Sequence, residues 1–388
     1  MRRIEEFLDL ALDVASETRS FVGRARALLA PAMAEAPGSG EATQHPRDDQ
    51  AIAVVNGLWG DRLDQRASGL AVQMSLRHRG AVLPLEAEAL AEASPSPSAR
   101  VAVFVHGWSC TERVWVPPAG EGEAPGPTYG DRLAEDLGYT PLYVRYNTGR
   151  HVSENGRSLS GLLEEVHRIY PGGIRELALV GHSMGGLVVR IAASHGDEAG
   201  AAWVRALRHV VCLGSPHLGS TLEQGAHLVT SALGAIPTSV TQAWTDMMKT
   251  RSSGIKDLRF GYTRDAEWSG RDPDAFFEDA REAAHLVEGV GYHFAAATLT
   301  RAPNSPWGRL VGDVFVRAPS ASGRSHQRAR RLPFRSGRIL GGLDHFALAR
   351  HPDVYAVLRD ALSGSTGLEA MSGGEHPGAG GVGADPLP

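Results

Sequence analysis

One stretch limits the folds open to this chain more than any other. Residues 176–196 read "ELALVGHSMGGLVVRIAASHG". A short continuous apolar run stops at Gly181, and a second, longer run with helical spacing begins after Gly186. Short apolar runs of this kind suit a strand buried on both faces. The junction between the runs must turn sharply, and it places Ser183 between glycines where the chain reverses. The predicted unit is therefore strand, tight turn, helix.

The same rhythm recurs on both sides. "RVAVFVHGW", "PLYVRYN", "ALRHVVCLGSP", "GYHFAAATLT" and "GRILGGLDHF" read as strands. "SLSGLLEEVHRIY" and "HPDVYAVLRDAL" read as helices. Upstream, "GLAVQMSLRHRGAVLPL" suggests two strands joined at His78-Arg79-Gly80, and "EAEALAEASPSPSAR" a loop with a helical start. Alternating strands and helices predict an α/β fold, a mostly parallel central sheet with helices on both faces.

The rest of the chain divides around this core. Residues 1–36 carry apolar groups at helical spacing and predict N-terminal amphipathic helices, suited to packing within the chain or to a homodimer. Residues 37–64 form a linker and lead-in segment by composition, and 65–364 the main domain. Within it, residues 219–290 break the rhythm with a helical insertion rich in Trp244, Met247, Met248, Phe260, Trp268, Phe276 and Phe277. Residues 365–388 form a Gly- and Pro-rich tail with the composition of disorder.

Composition narrows the function. The net charge of -5 argues against nucleic acid, and the basic run "RARRLPFRSGR" reads as a solvated loop. Two cysteines make neither a disulfide framework nor a metal cage, and no other cluster points to a metal. Acidic residues 5, 6, 9 and 13 interrupt any signal-peptide core, and no run approaches a membrane span. The expectation is a cytoplasmic protein with no stable membrane insertion.

Gly181-His182-Ser183-Met184-Gly185 is a G-x-S-x-G pattern in the strand-to-helix context that its mechanics require. Larger side chains at Gly181 and Gly185 would collide with neighbouring backbone. Ser183 is the candidate nucleophile, and the helix N-terminus directs N–H groups at any oxyanion beside it. His106-Gly107-Trp108 ends an upstream strand, so the N–H groups of Trp108 and Met184 are the candidate oxyanion donors. The acid and base should follow in that order. His345 is the preferred base, with His326 as second choice and His351 read as a helix cap. Asp313 is the preferred acid and Asp344 its rival, although adjacent side chains point apart. Arg150 and His151, after another strand end, are candidates for meeting a polar or anionic group of a substrate or for ordering their loop. His217 reads as structural.

Together "FVHGW", "GHSMGG", "GSPHLGS", "GDVFV" and "LDHFALARHPDVY" resemble the lipase-like branch of the α/β-hydrolase superfamily, which includes bacterial triacylglycerol lipases and hydrolases similar to GPI inositol deacylase. The resemblance spans roughly residues 65 to 362. It implies a Ser-His-Asp hydrolase with a helical cap. It assigns the nucleophile to Ser183, the acid to Asp313, the base to His345 and the oxyanion donors to Trp108 and Met184. The expected activity is hydrolysis of a small-molecule or lipid carboxylic ester without a cofactor. The same residues would serve an acyltransferase, thioesterase or amidase, because the fold does not choose among them. A catalytically inactive interaction protein is the third alternative, opposed by the presence of every catalytic residue type.

Overall fold

The interior strands are apolar along most of their length because both faces of the sheet are covered. In β3 (Arg100–Val105), Val101, Val103 and Val105 face one core layer while Ala102 and Phe104 face the other. β5 (Glu176–His182) and β6 (Leu207–Leu213) divide in the same way, and β7 (Gly291–Thr298) is buried along its whole length. A computed structural model of the chain describes residues 46–120, 122–219, 252–270, 285–301, 312–313, 315–325 and 331–364. Expectations for residues 1–36, for 365–388, for His326 and for most of the 219–290 insertion lie outside the described residues.

The sheet has eight strands in the order β2-β1-β4-β3-β5-β6-β7-β8. β3, β4 (Thr140–Arg145), β5, β6, β7 and β8 (Ser336–Gly341) run parallel. β1 (Ser75–His78) and β2 (Ala81–Leu83) form a hairpin whose first strand pairs antiparallel with β4. Polar and half-exposed residues mark the edges, as in β8. The structure therefore has the expected mostly parallel sheet with helices on both sides.

Most of the linker and lead-in segment expected over 37–64 lies in a helix, α1 (Pro46–Gln65). Proline is tolerated at a first helical position, so Pro46 begins this helix rather than breaking one. Ala53, Val55 and Leu58 supply its buried stripe. α2 (Tyr129–Leu137) went unnamed in the sequence pattern. It is set by a capping box in which Thr128 and Asp131 satisfy each other's backbone N–H groups.

One face of the sheet carries α3 (Val152–Ile169) and α4 (Met184–Glu198), whose Leu159, Leu163, Leu187 and Val188 meet the β3 valines. The other carries α2 and α6 (Pro352–Leu362), where Leu133, Val354 and Leu358 meet Phe104, Val180 and Val211. α5 (Ser253–Phe260) and a short helix at Asp265–Trp268 are the described part of the insertion. Among the described residues no helix is long and apolar enough to cross a membrane. Parallel strands deliver every loop after a carboxyl end to the same rim, and that rim receives the candidate residues from 106, 147, 183, 214, 313 and 345.

Candidate active site

Ser183 has φ 53° and ψ −122°, a backbone conformation that L-residues avoid. Strain of this kind costs on the order of 1–3 kcal/mol and persists only where the surroundings impose it. Here they do. The Ser183 N–H donates to the Leu213 carbonyl at 2.8 Å, and its own carbonyl accepts from Gly186 N at 3.0 Å. A side-chain carbon at Gly181 would fall 2.4 Å from the Gly185 backbone, and one at Gly185 would fall 2.2 Å from the Val105 carbonyl oxygen. Neither position admits anything but glycine, because the obstacle is main chain.

His345 and Asp313 meet across 32 residues of sequence. The His345 Nδ1–H donates to Asp313 Oδ2 at 2.7 Å, and both residues are almost fully buried. The other carboxylate oxygen of Asp313 accepts from Phe315 N at 3.1 Å and Val316 N at 2.8 Å. Gly312, at φ +60°, turns the chain so that this cradle closes. A carboxylate so held accepts a hydrogen bond from Nδ1–H and keeps the proton on that nitrogen, which leaves the imidazole Nε2 with its lone pair. Asp344 instead accepts from Ala347 N at 2.9 Å and is not part of this pair. His351 caps α6 by accepting from Asp353 N.

The nucleophile and base approach one turn from two sides. Ser183 is tied to Leu213, and a side-chain carbon at the next residue, Gly214, would lie 3.3 Å from His345 Cε1. The Ser183 hydroxyl and the His345 ring do not hydrogen-bond in this structure. Gly107 passes so close to the elbow that a Cβ there would meet Ser183 Cβ at 2.9 Å. Among the described residues, the N–H groups of Trp108 and Met184 donate to no protein acceptor. That leaves two main-chain donors beside the elbow serine.

His182 matters in a way the sequence pattern did not signal. Its Nε2–H donates to the His345 carbonyl at 3.0 Å, and the two rings lie 4.9 Å apart. Burial, reinforced by the neighbouring His345, pushes its pKa down to about 3, so it stays neutral. His182 therefore ties the main chain of the candidate base to the elbow. His106 is likewise lowered to about 4 by burial, and stacks on Tyr146. Phe315 packs 5.1 Å from the His345 ring, and Phe346, an exposed apolar side chain, stands next to it.

Arg150 and His151 are already engaged by protein groups. His151 Nδ1 lies 3.1 Å from both carboxylate oxygens of buried Asp257 and stacks on Trp268 at 3.6 Å. Arg150 pairs with Asp64 and Glu154. Both order the loop after β4 against its neighbours, the alternative role expected for them. His217 accepts from Arg190 at 2.8 Å in a fully buried pair. Burial and that cation hold His217 well below the ordinary histidine range. No group of three or more His, Cys, Asp or Glu side chains among the described residues is placed to hold a metal ion. A cavity of about 260 Å³ opens beside α4, lined in part by Ser153, Arg157, Ser194 and Thr263; none of the candidate residues lines it.

Residues 139–269 match the family model described as "PGAP1-like alpha/beta domain". That span contains the elbow and ends before Asp313 and His345. The sheet order and the strained serine turn give the architecture. The chain has an α/β-hydrolase fold. Solved structures similar to this chain include the mature lipase BlEst2 of Bacillus licheniformis, at 19% identity and TM-score 0.43, covering 69% of this chain and 94% of that one. The RedJ thioesterase of the prodiginine pathway in Streptomyces coelicolor is similar at 15% identity and TM-score 0.37, covering 69% and 90%. The lipase of Staphylococcus hyicus is similar at 13% and 0.36, covering 69% and 96%. No curated protein sequence matches the chain.

Proposed function

We propose that this protein is a serine hydrolase of carboxylic esters, working through Ser183, His345 and Asp313. The observation that carries the reading is the buried 2.7 Å pair of His345 and Asp313 on the rim where Ser183 is held at φ 53°. A carboxylate on Nδ1 selects the tautomer whose Nε2 can accept a proton. A strained serine at a helix N-terminus is presented without a side-chain screen.

In this mechanism the Ser183 hydroxyl attacks the ester carbonyl and His345 Nε2 takes its proton. Hydrogen bonds of this kind are often long in a free enzyme and tighten with substrate. The tetrahedral oxyanion lies between the N–H groups of Trp108 and Met184, each such donor being worth roughly 3 kcal/mol of transition-state stabilisation. The imidazolium, stabilised by Asp313, gives its proton to the leaving alcohol. Water activated by His345 then releases the acid from Ser183. The chemistry calls for no cofactor. The substrate is a small-molecule or lipid ester, and the site of action is cytoplasmic, a reading supported by two unpaired cysteines.

Turnover of p-nitrophenyl esters of increasing chain length, with Ser183→Ala as control, tests the proposal. Ester hydrolysis that disappears in the variant is expected. Hydrolysis that survives in it would remove Ser183 from the mechanism.

A further inference from the structure

α1 lies across the rim that holds the candidate site, and one of its backbone atoms touches two parts of that rim. The Gly57 carbonyl accepts the Trp108 indole N–H at 3.0 Å and the Ser252 hydroxyl at 2.6 Å. Ser252 is the N-cap of α5, the longer described helix of the insertion. Two turns before Gly57 and one turn after it the contacts continue. Gln50 Nε2 donates to the Ser109 carbonyl at 2.9 Å, and Asp61 accepts the N–H and hydroxyl of Ser253 at 3.0 Å. Asn147 donates to the Gly60 carbonyl at 2.9 Å. Asp49 pairs with buried Arg145, which also holds Glu112 beyond the oxyanion turn.

This approach depends on missing side chains. A Cβ at Gly57 would lie 1.9 Å from Ser109 Oγ, and one at Gly60 would lie 1.8 Å from Asn147 Oδ1. Glycine is a poor residue for a helix interior. α1 carries it where the rim comes closest.

The turn that α1 contacts has little regular structure of its own. Within it, Cys110 N donates to the Gly107 carbonyl at 3.2 Å, and Ser109 sits at φ 54°. From the β4 side, Thr148 accepts the Ser109 N–H at 3.1 Å. From the other side the restraints are the Trp108 indole and the Ser109 carbonyl, both bonded to α1. Oxyanion donors act fully only when they are fixed before charge develops, and misplacement by a fraction of an ångström weakens them.

We propose that Gly57 and Gln50 are positioning residues for the oxyanion turn, so that a helix outside the sheet-and-helix core aims the Trp108 N–H. The inference rests on the reading of that N–H as an oxyanion donor. It also gives α1 a role beyond support, because the same carbonyl joins the turn to the start of α5.

Trp108→Phe and Gln50→Ala, made in the full chain, test it. The first keeps an aromatic ring but removes the indole donor; the second removes an exposed side chain and leaves the core intact. On a p-nitrophenyl ester, kcat is expected to fall about tenfold in Trp108→Phe and about threefold in Gln50→Ala, with KM within about twofold, the split that marks an interaction made only in the transition state. Amide hydrogen exchange across 107–111 should quicken in both. Values of kcat within about twofold of wild type, with unchanged exchange in that turn, would overturn the proposal and leave α1 a supporting helix. If Trp108→Phe does not fold, Gln50→Ala alone carries the same decision. A wild-type protein that turns over no ester, and whose Ser183 resists an organophosphonate, would instead defeat the underlying esterase reading.

Discussion

The two ends of β5 follow opposite rules. At its start, Glu176 receives Arg100 through two hydrogen bonds of 3.0 Å and the Tyr139 hydroxyl through a third. Arg100 also reaches the Leu137 carbonyl, so the cluster's charges are answered by partners. At its finish, Ser183 is strained, and His106 Nε2, His182 Nδ1, Ser215 Oγ and His217 Nε2 are buried without a protein partner among the described residues. Unpaired buried polar atoms each cost on the order of 1–3 kcal/mol. The strand thus joins an end whose charges are paired to an end that holds a strained serine among unpartnered buried polar atoms, and backbone strain of that kind clusters at functional sites.

The largest test of that contrast is at the finishing end. Ser183→Ala and Asp313→Asn should each lower kcat by about 10⁴ while the fold persists. Asp313→Asn keeps the shape of the side chain but disfavours the tautomer that His345 needs. Circular dichroism and ester turnover, measured on the same samples, separate loss of chemistry from loss of structure. An Asp313→Asn variant with full kcat would mean that the buried pair is structural.

Acid comes next. The folded-state pKa is about 4 for His106 and His293 and about 3 for His182, each lowered first by burial. Unfolded histidine titrates near 6.5. Below that pH the unfolded chain takes up protons that the folded chain refuses, so stability must fall with falling pH. The slope is about 1.4 kcal/mol per pH unit for each such histidine, down to its folded pKa. Denaturant melts between pH 7 and pH 5 read the slope directly. His293 belongs to a starting-end chain through His209 and Ser336. His293→Gln should therefore flatten the slope by one proton's worth and leave ester turnover unchanged.

Smaller effects sharpen the comparison. Ser183→Gly should abolish turnover yet stabilise the protein by about 1 kcal/mol, because glycine occupies this backbone conformation without strain. Arg100→Ala should do the reverse, leaving kcat within about twofold and costing about 1 kcal/mol at most, since solvent screens a half-exposed pair. Its side chains are 35% and 26% exposed. Thermal melts paired with p-nitrophenyl ester assays check both.

How much of this was legible in the sequence follows from range. The elbow is local, so five residues and their flanks revealed the strand, turn and helix around Ser183. His345 and Asp313 were accessible through order along the chain and position after strand ends. Contacts between distant segments were not. Nothing near His182 announces that its ring would hold the main chain of residue 345, because that bond exists only once β8 lies in place. α1 was hidden for a different reason. Its Pro46, Gly57 and Gly60 carry the composition of a linker, and only the packed rim shows why a helix would accept them. Arg150 and His151 looked available for substrate because their partners, Asp64 and Asp257, lie far away in sequence.

The most direct measurement is reaction of the folded, full-length protein with a fluorophosphonate probe, located by mass spectrometry. The account predicts one adduct, on Ser183, forming quickly in the wild type and far more slowly in His345→Ala. An unlabelled Ser183 in folded protein, or labelling that proceeds equally fast without the imidazole, would contradict it.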